Sequence, residues 1–205
     1  MELVKFFQTG GSFMYPILLV LAIGLAISIE RIIYITKTQG KTNKLWSQLV
    51  PMLKAQDFAR ATKLTEQVKT PLATMLCYGF SRKNADAPRD SIESAMEEGM
   101  MEVMPELEQR THYLATYANI ATLLGLLGTI IGLIQAFTAV AGADPAEKAD
   151  LLSASISVAM NTTAFGLIAA IPLILIHSYL VTKTARLVDN IEMAAVKCLN
   201  LIAEK

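Results

Sequence analysis

Hydroxyl groups that could pass protons or bind ions occur along two long stretches without charged side chains, residues 111–143 and 151–182. On a wheel at about 100° per residue, each stretch places its small and hydroxyl-bearing residues on one side. The stripe of the first stretch consists of Ala118, Thr122, Gly125, Thr129, Gly132 and Ala136. The stripe of the second consists of Ser155, Ala159, Thr163, Gly166 and Ala170. Such stripes fit either close helix packing or a polar path for an ion or a partner helix, and taken alone they favour packing.

The other polar groups near these stripes indicate contacts between helices rather than catalysis. Asn161 is the most polar side chain of the second stretch, and such residues usually hydrogen-bond a neighbouring helix. His112 and His177 lie near the ends of the stretches, where a histidine is more often a cap or an interface contact than a proton relay. The sequence has no phosphate-binding loop, nucleophile elbow or metal-ligand cluster. We therefore predict no enzymatic activity, no cofactor and no metal.

No acidic or basic residue lies deep inside an apolar stretch. Proton-driven membrane machines usually carry one, because a proton crossing the membrane needs a titratable stopover. If this chain belongs to such a machine, another chain must supply that group.

The elements that must position the stripes are transmembrane helices. Both stretches exceed the roughly 20 apolar residues that a helix needs to span a bilayer, and lipid cannot satisfy open backbone groups. A third apolar stretch, 13–36, lies near the N-terminus. The hydrophobic content of 53% fits a polytopic membrane protein. With 18 basic and 18 acidic residues, the charge balance gives no indication of nucleic-acid binding.

The predicted fold is all-α, with three transmembrane helices, of which the second and third extend into the cytoplasm. Positive charges crowd just after the first and third spans, so the positive-inside rule places the N-terminus in the periplasm and the C-terminus in the cytoplasm. Cys77 and Cys198 are then both predicted to be exposed on the cytoplasmic side. The predicted segments are a periplasmic or interfacial N-terminus (1–12), transmembrane helices (13–36, 111–141 and 152–182), a cytoplasmic helical region (37–110), a periplasmic connector (142–151) and a cytoplasmic C-terminal helix (183–205).

Several local features of these segments can also be predicted. Glu30 and Arg31 close the first span, where we expect an interfacial pair whose charged heads reach lipid headgroups. A helix that begins near Asp90 is expected to run through Pro105 and His112 into the second span. Three prolines are predicted to divide 37–110 into short helices: Pro51, Pro71 and Pro88. A short amphipathic helix at the N-terminus would use Leu3, Val4, Phe6 and Phe7.

Two of these segments have a familiar sequence. Residues 121–137, ATLLGLLGTIIGLIQAF, resemble the second span of the MotA/TolQ/ExbB family, and residues 156–172, ISVAMNTTAFGLIAAIP, resemble its third span. The three-span layout, the large first cytoplasmic loop and the short outer connector also resemble ExbB and TolQ, since MotA-type stators carry four spans. Val158 stands where ExbB and TolQ commonly have a glutamate.

The resemblance implies a multi-pass stator of the bacterial inner membrane, driven by the proton-motive force. A homo-oligomeric ring, typically a pentamer, would enclose the spans of two copies of a single-span ExbD- or TolR-like partner, whose membrane aspartate carries the proton. Thr129 and Thr163 fall at the family's pore-lining threonines, and Thr122 continues the same path. The remaining stripe residues would pack the helices together: Gly125, Gly132, Ala159 and Gly166.

The function implied is ExbB-like: the ring and its partner couple proton flow to mechanical work on the envelope, with a TonB-like protein as a further partner in uptake. TolQ-like envelope maintenance or another motor is the alternative within the family. A non-conducting oligomeric scaffold and a self-contained channel are alternatives of other classes, because both have the same hydropathy.

Overall fold

In the computed structural model, which describes Phe7 and residues 10–203, every regular element is an α-helix. The helices are α1 (Met14–Lys54), α2 (Phe58–Gln67), α3 (Pro71–Asn84), α4 (Arg89–Glu108), α5 (Thr111–Ala141) and α6 (Lys148–Ala203). Three helical segments are long and apolar enough to cross a membrane, one in α1, one in α4–α5 and one in α6. The prediction of an all-α polytopic membrane protein is therefore confirmed. The residues Leu3, Val4 and Phe6 of the expected amphipathic helix lie outside the described residues.

The chain folds into two units, and α1 and α6 contribute to both. The first unit contains the described residues of Met1–Glu30 together with Arg110–Tyr179. Its core is built largely from small side chains, because three apolar helices can approach closely only where alanine and glycine face one another. The buried members are Ile17 of α1, Ala118 and Ala121 of α5, and Ala169, Ala170 and Leu173 of α6.

The second unit contains Arg31–Gln109 and the described part of Leu180–Lys205. Leu49 of α1, Phe80 of α3 and Leu187 of α6 are completely buried in it. Helices α3 and α4 approach closely at a glycine, since a Cβ atom on Gly99 would lie only 2.8 Å from the Cα atom of Met75. Large side chains thus contribute much of the core of this unit.

The helix boundaries in this region follow the prolines only in part. Pro71 occupies the first turn of α3, where its missing N–H costs nothing, and Pro88 immediately precedes α4. Pro51, by contrast, lies inside α1, which continues to Lys54, so the prediction that it separates two helices is wrong. Thr70 caps α3 by accepting a hydrogen bond from the backbone N–H of Ala73.

The expected unbroken helix from Asp90 into the second span is interrupted. Pro105 is accommodated within α4, but α4 ends at Glu108, and Arg110 adopts a left-handed conformation with φ of 63°. A non-glycine residue with positive φ cannot continue a right-handed helix. The polypeptide therefore begins a new helix, α5, at Thr111.

Cys198 is buried and Cys77 is half-buried, so Cys198 is not exposed as predicted, while the cytoplasmic location of both cysteines stays a prediction. Burial raises the pKa of the Cys198 thiol to about 12. The thiolate, the form that reacts with alkylating reagents, is therefore strongly disfavoured at Cys198. We expect a maleimide to modify Cys77 readily in the folded chain and Cys198 only after denaturation, as measured by mass spectrometry of both peptides. Equal rates at the two thiols in folded protein would contradict the burial of Cys198.

Candidate functional site

The hydroxyl groups of Thr129 on α5 and Thr163 on α6 hydrogen-bond each other in the first unit. We call these two residues the threonine pair. Both side chains are half-buried, so part of each remains accessible from outside the first unit. The two stripe threonines that the family resemblance singles out are thus brought together by the fold.

Backbone carbonyl groups surround the threonine pair. Thr163 Oγ1 donates to the carbonyl of Gly125 at 2.9 Å, and Thr129 Oγ1 lies 3.2 Å from the same carbonyl and 3.3 Å from that of Ala159. Each hydroxyl has one proton and two lone pairs, so either threonine can donate to the other while its partner donates to a carbonyl. The pair can therefore both give and receive a proton in a hydrogen bond with an approaching group.

Glycines allow the two helices to come close enough for these contacts. A Cβ atom on Gly166 would lie 2.7 Å from the carbonyl oxygen of Ala121 and 3.0 Å from the Cα atom of Gly125. A Cβ atom on Gly132 would lie 2.9 Å from the Cβ atom of Ala159. The close backbone approach explains how a threonine on α6 reaches a carbonyl on α5, because a threonine side chain is short.

The threonine pair has no charged companion on the apolar parts of its own helices. Helix α5 contains no Asp, Glu, Lys or Arg, and α6 contains none between Asp150 and Lys183. Hydroxyl groups do not ionise at physiological pH, so they can relay or orient a proton but cannot store one. This chemistry suits a proton path whose titratable group is supplied by another molecule.

Residues 67–193 match the family model described as the MotA/TolQ/ExbB proton channel family. The chain belongs to this family. It is 28% identical over 192 residues to an ExbB homolog from Methanothermobacter thermautotrophicus, covering 93% of this chain and 67% of that protein. It is 35% identical over 115 residues to the Tol-Pal system protein TolQ from Haemophilus influenzae, covering 52% of this chain and 50% of TolQ. The predicted family is confirmed, and it is a family of proton channels rather than a class of enzymes.

Two other predicted site residues, Thr122 and Asn161, take no part in the hydrogen bonds of the threonine pair. Thr122 donates to the carbonyl of Ala118 on its own helix at 3.1 Å. Asn161 is half-buried on α6 and takes no part in the hydrogen bonds of the pair. The proposed roles of Thr122 and Asn161 in the pore and between helices stay predictions.

Thr162 is a polar contact that the sequence patterns missed. It is 2% exposed, and its hydroxyl lies 2.6 Å from the carbonyl of Gly10 and 3.0 Å from that of Val158. Its methyl group packs against Gly128. The doublet Thr162–Thr163 was the available signal, because neighbouring residues on a helix face different sides and can bond different partners.

The two charged residues near the end of the first span do not form the expected interfacial pair. Glu30 is exposed and binds Arg110, with 2.9 Å between Oε2 and Nη1. Arg31 is 2% exposed and donates to the carbonyls of Glu106 and Leu107. Arg31 therefore does not extend into headgroups: its guanidinium binds the C-terminal carbonyls of α4, where the helix dipole favours a cation.

Replacing Arg31 by methionine should destabilise the second unit, because the last carbonyls of α4 lose a charged donor in a buried place. We expect a loss of about 1.5–3 kcal/mol, which lowers the thermal midpoint by roughly 2–4 °C per kcal/mol. Circular dichroism of the detergent-solubilised chain measures it. Glu30→Gln is the control, since it breaks only an exposed ion pair worth at most about 1 kcal/mol. An equal shift in both variants would contradict the buried role of Arg31.

Proposed function

We propose that this chain is the ring-forming stator subunit of an ExbB-like complex that couples proton flow to mechanical work on the cell envelope. The observation that carries the proposal is the threonine pair: two hydroxyls joined across α5 and α6, surrounded by carbonyls and without a carboxylate. In this proposal an ExbD-like single-span partner, present in two copies, brings its membrane aspartate to the pair. Uptake that depends on a TonB-like protein is the process we expect the complex to drive.

The chemistry of the threonine pair fits such a partner. A protonated carboxyl group donates one hydrogen bond, whereas a carboxylate only accepts. The threonine pair must therefore change the direction of its hydrogen bonds as the aspartate gains and loses its proton. Thr129 and Thr163 can do this because each has an alternative carbonyl acceptor within 3.3 Å. The reversal moves no heavy atom, which suits repeated cycles.

The outer surfaces of the first unit support a ring in a membrane. Large apolar side chains on α5 are exposed, among them Leu123 (63%), Ile130 (56%) and Phe137 (63%). Lipid or a neighbouring copy has to cover these side chains, because water does so unfavourably. We propose a pentamer in the bacterial inner membrane, with the N-terminus in the periplasm and the C-terminus in the cytoplasm, as the distribution of basic residues indicates.

A TolQ-like role in envelope maintenance is the second candidate. The similarity to TolQ from Haemophilus influenzae supports it, since the identity of 35% exceeds the 28% to the ExbB homolog, although over a shorter stretch. Both candidates use the same threonine pair and differ only in what the partner pulls.

Proton uptake into vesicles tests the proposed function. We expect vesicles with the chain and its single-span partner to take up protons under an imposed potential, and vesicles with either protein alone to remain tight. Uptake by the chain alone would indicate a self-contained channel. No uptake with the partner bound would indicate a non-conducting scaffold, and either result would overturn the proposal.

A further inference from the structure

The second unit contains a cavity of about 630 Å³. Its volume lies within the range of small-molecule sites, about 300–1,000 Å³. Lys37 and Lys41 from α1 contribute to one part of its wall, and Lys69, from the loop between α2 and α3, contributes to another. We call this space the lysine cavity.

Among the described residues, the lysines of the lysine cavity form no direct ion pairs. Within residues 10–203, none of Lys37, Lys41 and Lys69 comes within salt-bridge distance of a carboxylate. Lys37 and Lys41 stand one helical turn apart, so their ammonium groups can reach the same anion. The three lysines are exposed to solvent, and each attracts an anion that enters the cavity.

Hydroxyl donors complete the wall. Thr70 is 4% exposed and accepts the cap hydrogen bond from Ala73 N, but within the described residues its own hydroxyl proton has no acceptor. The first turn of α3 begins at the same place, and a helix N-terminus favours negative charge. The hydroxyl proton of Thr70 and the N-terminus of α3 therefore both favour an anionic ligand, as the lysines do.

The acidic residues of the wall limit the charge of the ligand. Glu66 and Glu106 also line the cavity, so three lysines and two glutamates leave one formal positive charge. Tyr34 donates to Glu106 at 2.9 Å, which keeps that carboxylate engaged with the protein. A ligand with about one negative charge matches this balance, whereas a polyphosphate would be repelled by the carboxylates.

The position of the lysine cavity along the chain favours a membrane ligand. Lys37 is the first lysine after the apolar stretch 13–36, and Tyr34 one turn earlier also lines the cavity. Tyrosine and lysine side chains are typical of the headgroup layer at the end of a span. A phosphodiester headgroup would meet the cavity as soon as α1 leaves the lipid.

We propose that the lysine cavity binds a phosphate group with about one negative charge, held by Lys37, Lys41 and Lys69 with Thr70 as donor. The phosphodiester of an anionic phospholipid and free inorganic phosphate share this chemistry, and the experiment separates them. The proposal does not depend on proton conduction or on a partner chain.

Cys77 lines the lysine cavity and provides a reporter, since a bound ligand should shield its thiol. The full chain is placed in nanodiscs, and the alkylation rate of Cys77 by a neutral maleimide is followed by mass spectrometry. Three conditions are compared: phosphatidylcholine alone, phosphatidylcholine with phosphatidylglycerol, and phosphatidylcholine with inorganic phosphate. Cys198 monitors the fold, because it reacts only if the unit opens.

We expect phosphatidylglycerol to slow the alkylation of Cys77. Lys37→Gln and Lys41→Gln should each weaken this protection roughly five-fold, and the double variant should lose it. Lys44→Gln is the matched control, because Lys44 is an exposed lysine on the same helix outside the cavity wall. Protection by phosphatidylglycerol alone supports a lipid ligand, and equal protection by inorganic phosphate supports a soluble one.

Three results would overturn the proposal. The first is the same Cys77 rate under all three conditions in the wild-type chain. The second is protection that survives the double lysine variant or falls equally in Lys44→Gln, which would indicate diffuse surface charge. The third is protection of Cys77 that depends on the number of chains per nanodisc and not on lipid charge. This result would indicate that an acidic segment of a second copy of the chain occupies the cavity.

Discussion

Thr163→Val is expected to reduce partner-dependent proton uptake by roughly a hundredfold, the lower end of what a positioned proton-transfer group contributes. Valine has nearly the same shape as threonine, so the change removes the hydroxyl that bonds Thr129 and the carbonyl of Gly125. A proton path needs a continuous chain of donors and acceptors, and the variant interrupts it. Thr129→Val should have an effect of similar size.

Assembly should survive the loss of either hydroxyl. An interhelical hydrogen bond in a membrane contributes on average about 0.6 kcal/mol, which is small for an extensive helix contact. Proton uptake and co-purification of the partner are therefore measured together. The double variant should be no worse than either single variant, because the threonine pair acts as one unit. Thr122→Val is the matched control and should have a weaker effect, since Thr122 bonds only its own helix.

These measurements separate the pore role from a packing role. Normal uptake in both single valine variants would contradict the assignment of the threonine pair to the proton path. Lost uptake together with a dissociated ring would favour a pair that serves only to hold the helices together.

Gly166→Ala should produce a large structural defect in the first unit. The added Cβ atom would lie 2.7 Å from the carbonyl oxygen of Ala121 and 3.0 Å from the Cα atom of Gly125. Both are backbone atoms, so the helices must separate, and overpacking of this kind costs about 1–3 kcal/mol. We expect a lower thermal midpoint and reduced proton uptake, because separation also disturbs the threonine pair.

Gly40→Ala is the matched control for this glycine. Gly40 lies in α1, and apart from its chain neighbours and the adjacent backbone of its own helix nothing lies within 4 Å of the added Cβ. Alanine favours a helix over glycine by about 0.5–1 kcal/mol, so this variant should be slightly more stable than the wild type. Thermal unfolding in one detergent compares the two. An unchanged midpoint in Gly166→Ala would show that α5 and α6 are not in backbone contact there.

The sequence by itself determined the class of the protein. Residues 111–143 and 151–182 contain no charged side chain, and both stretches are long enough to span a bilayer as a helix. The spans can therefore be identified without knowledge of any tertiary contact. The small-residue stripes are also properties of sequence, because helical periodicity fixes which residues share a side. Thr129 and Thr163 could therefore be named as candidates, and the family resemblance carried by 121–137 and 156–172 was confirmed over residues 67–193.

Only the tertiary structure decided which polar atoms meet. The helical wheel places Thr122 and Thr129 on one stripe, but Thr129 hydrogen-bonds Thr163 on α6, whereas Thr122 donates to a carbonyl of its own helix. Arg31 looks like a lipid-facing charge in sequence, yet it binds carbonyls 75 and 76 residues away. Periodicity within a helix gives the direction of a side chain but not its partner. The partner depends on where a second helix ends or approaches, and contacts between residues distant in sequence determine this. One such contact is the ion pair of Glu30 with Arg110, the left-handed residue between α4 and α5.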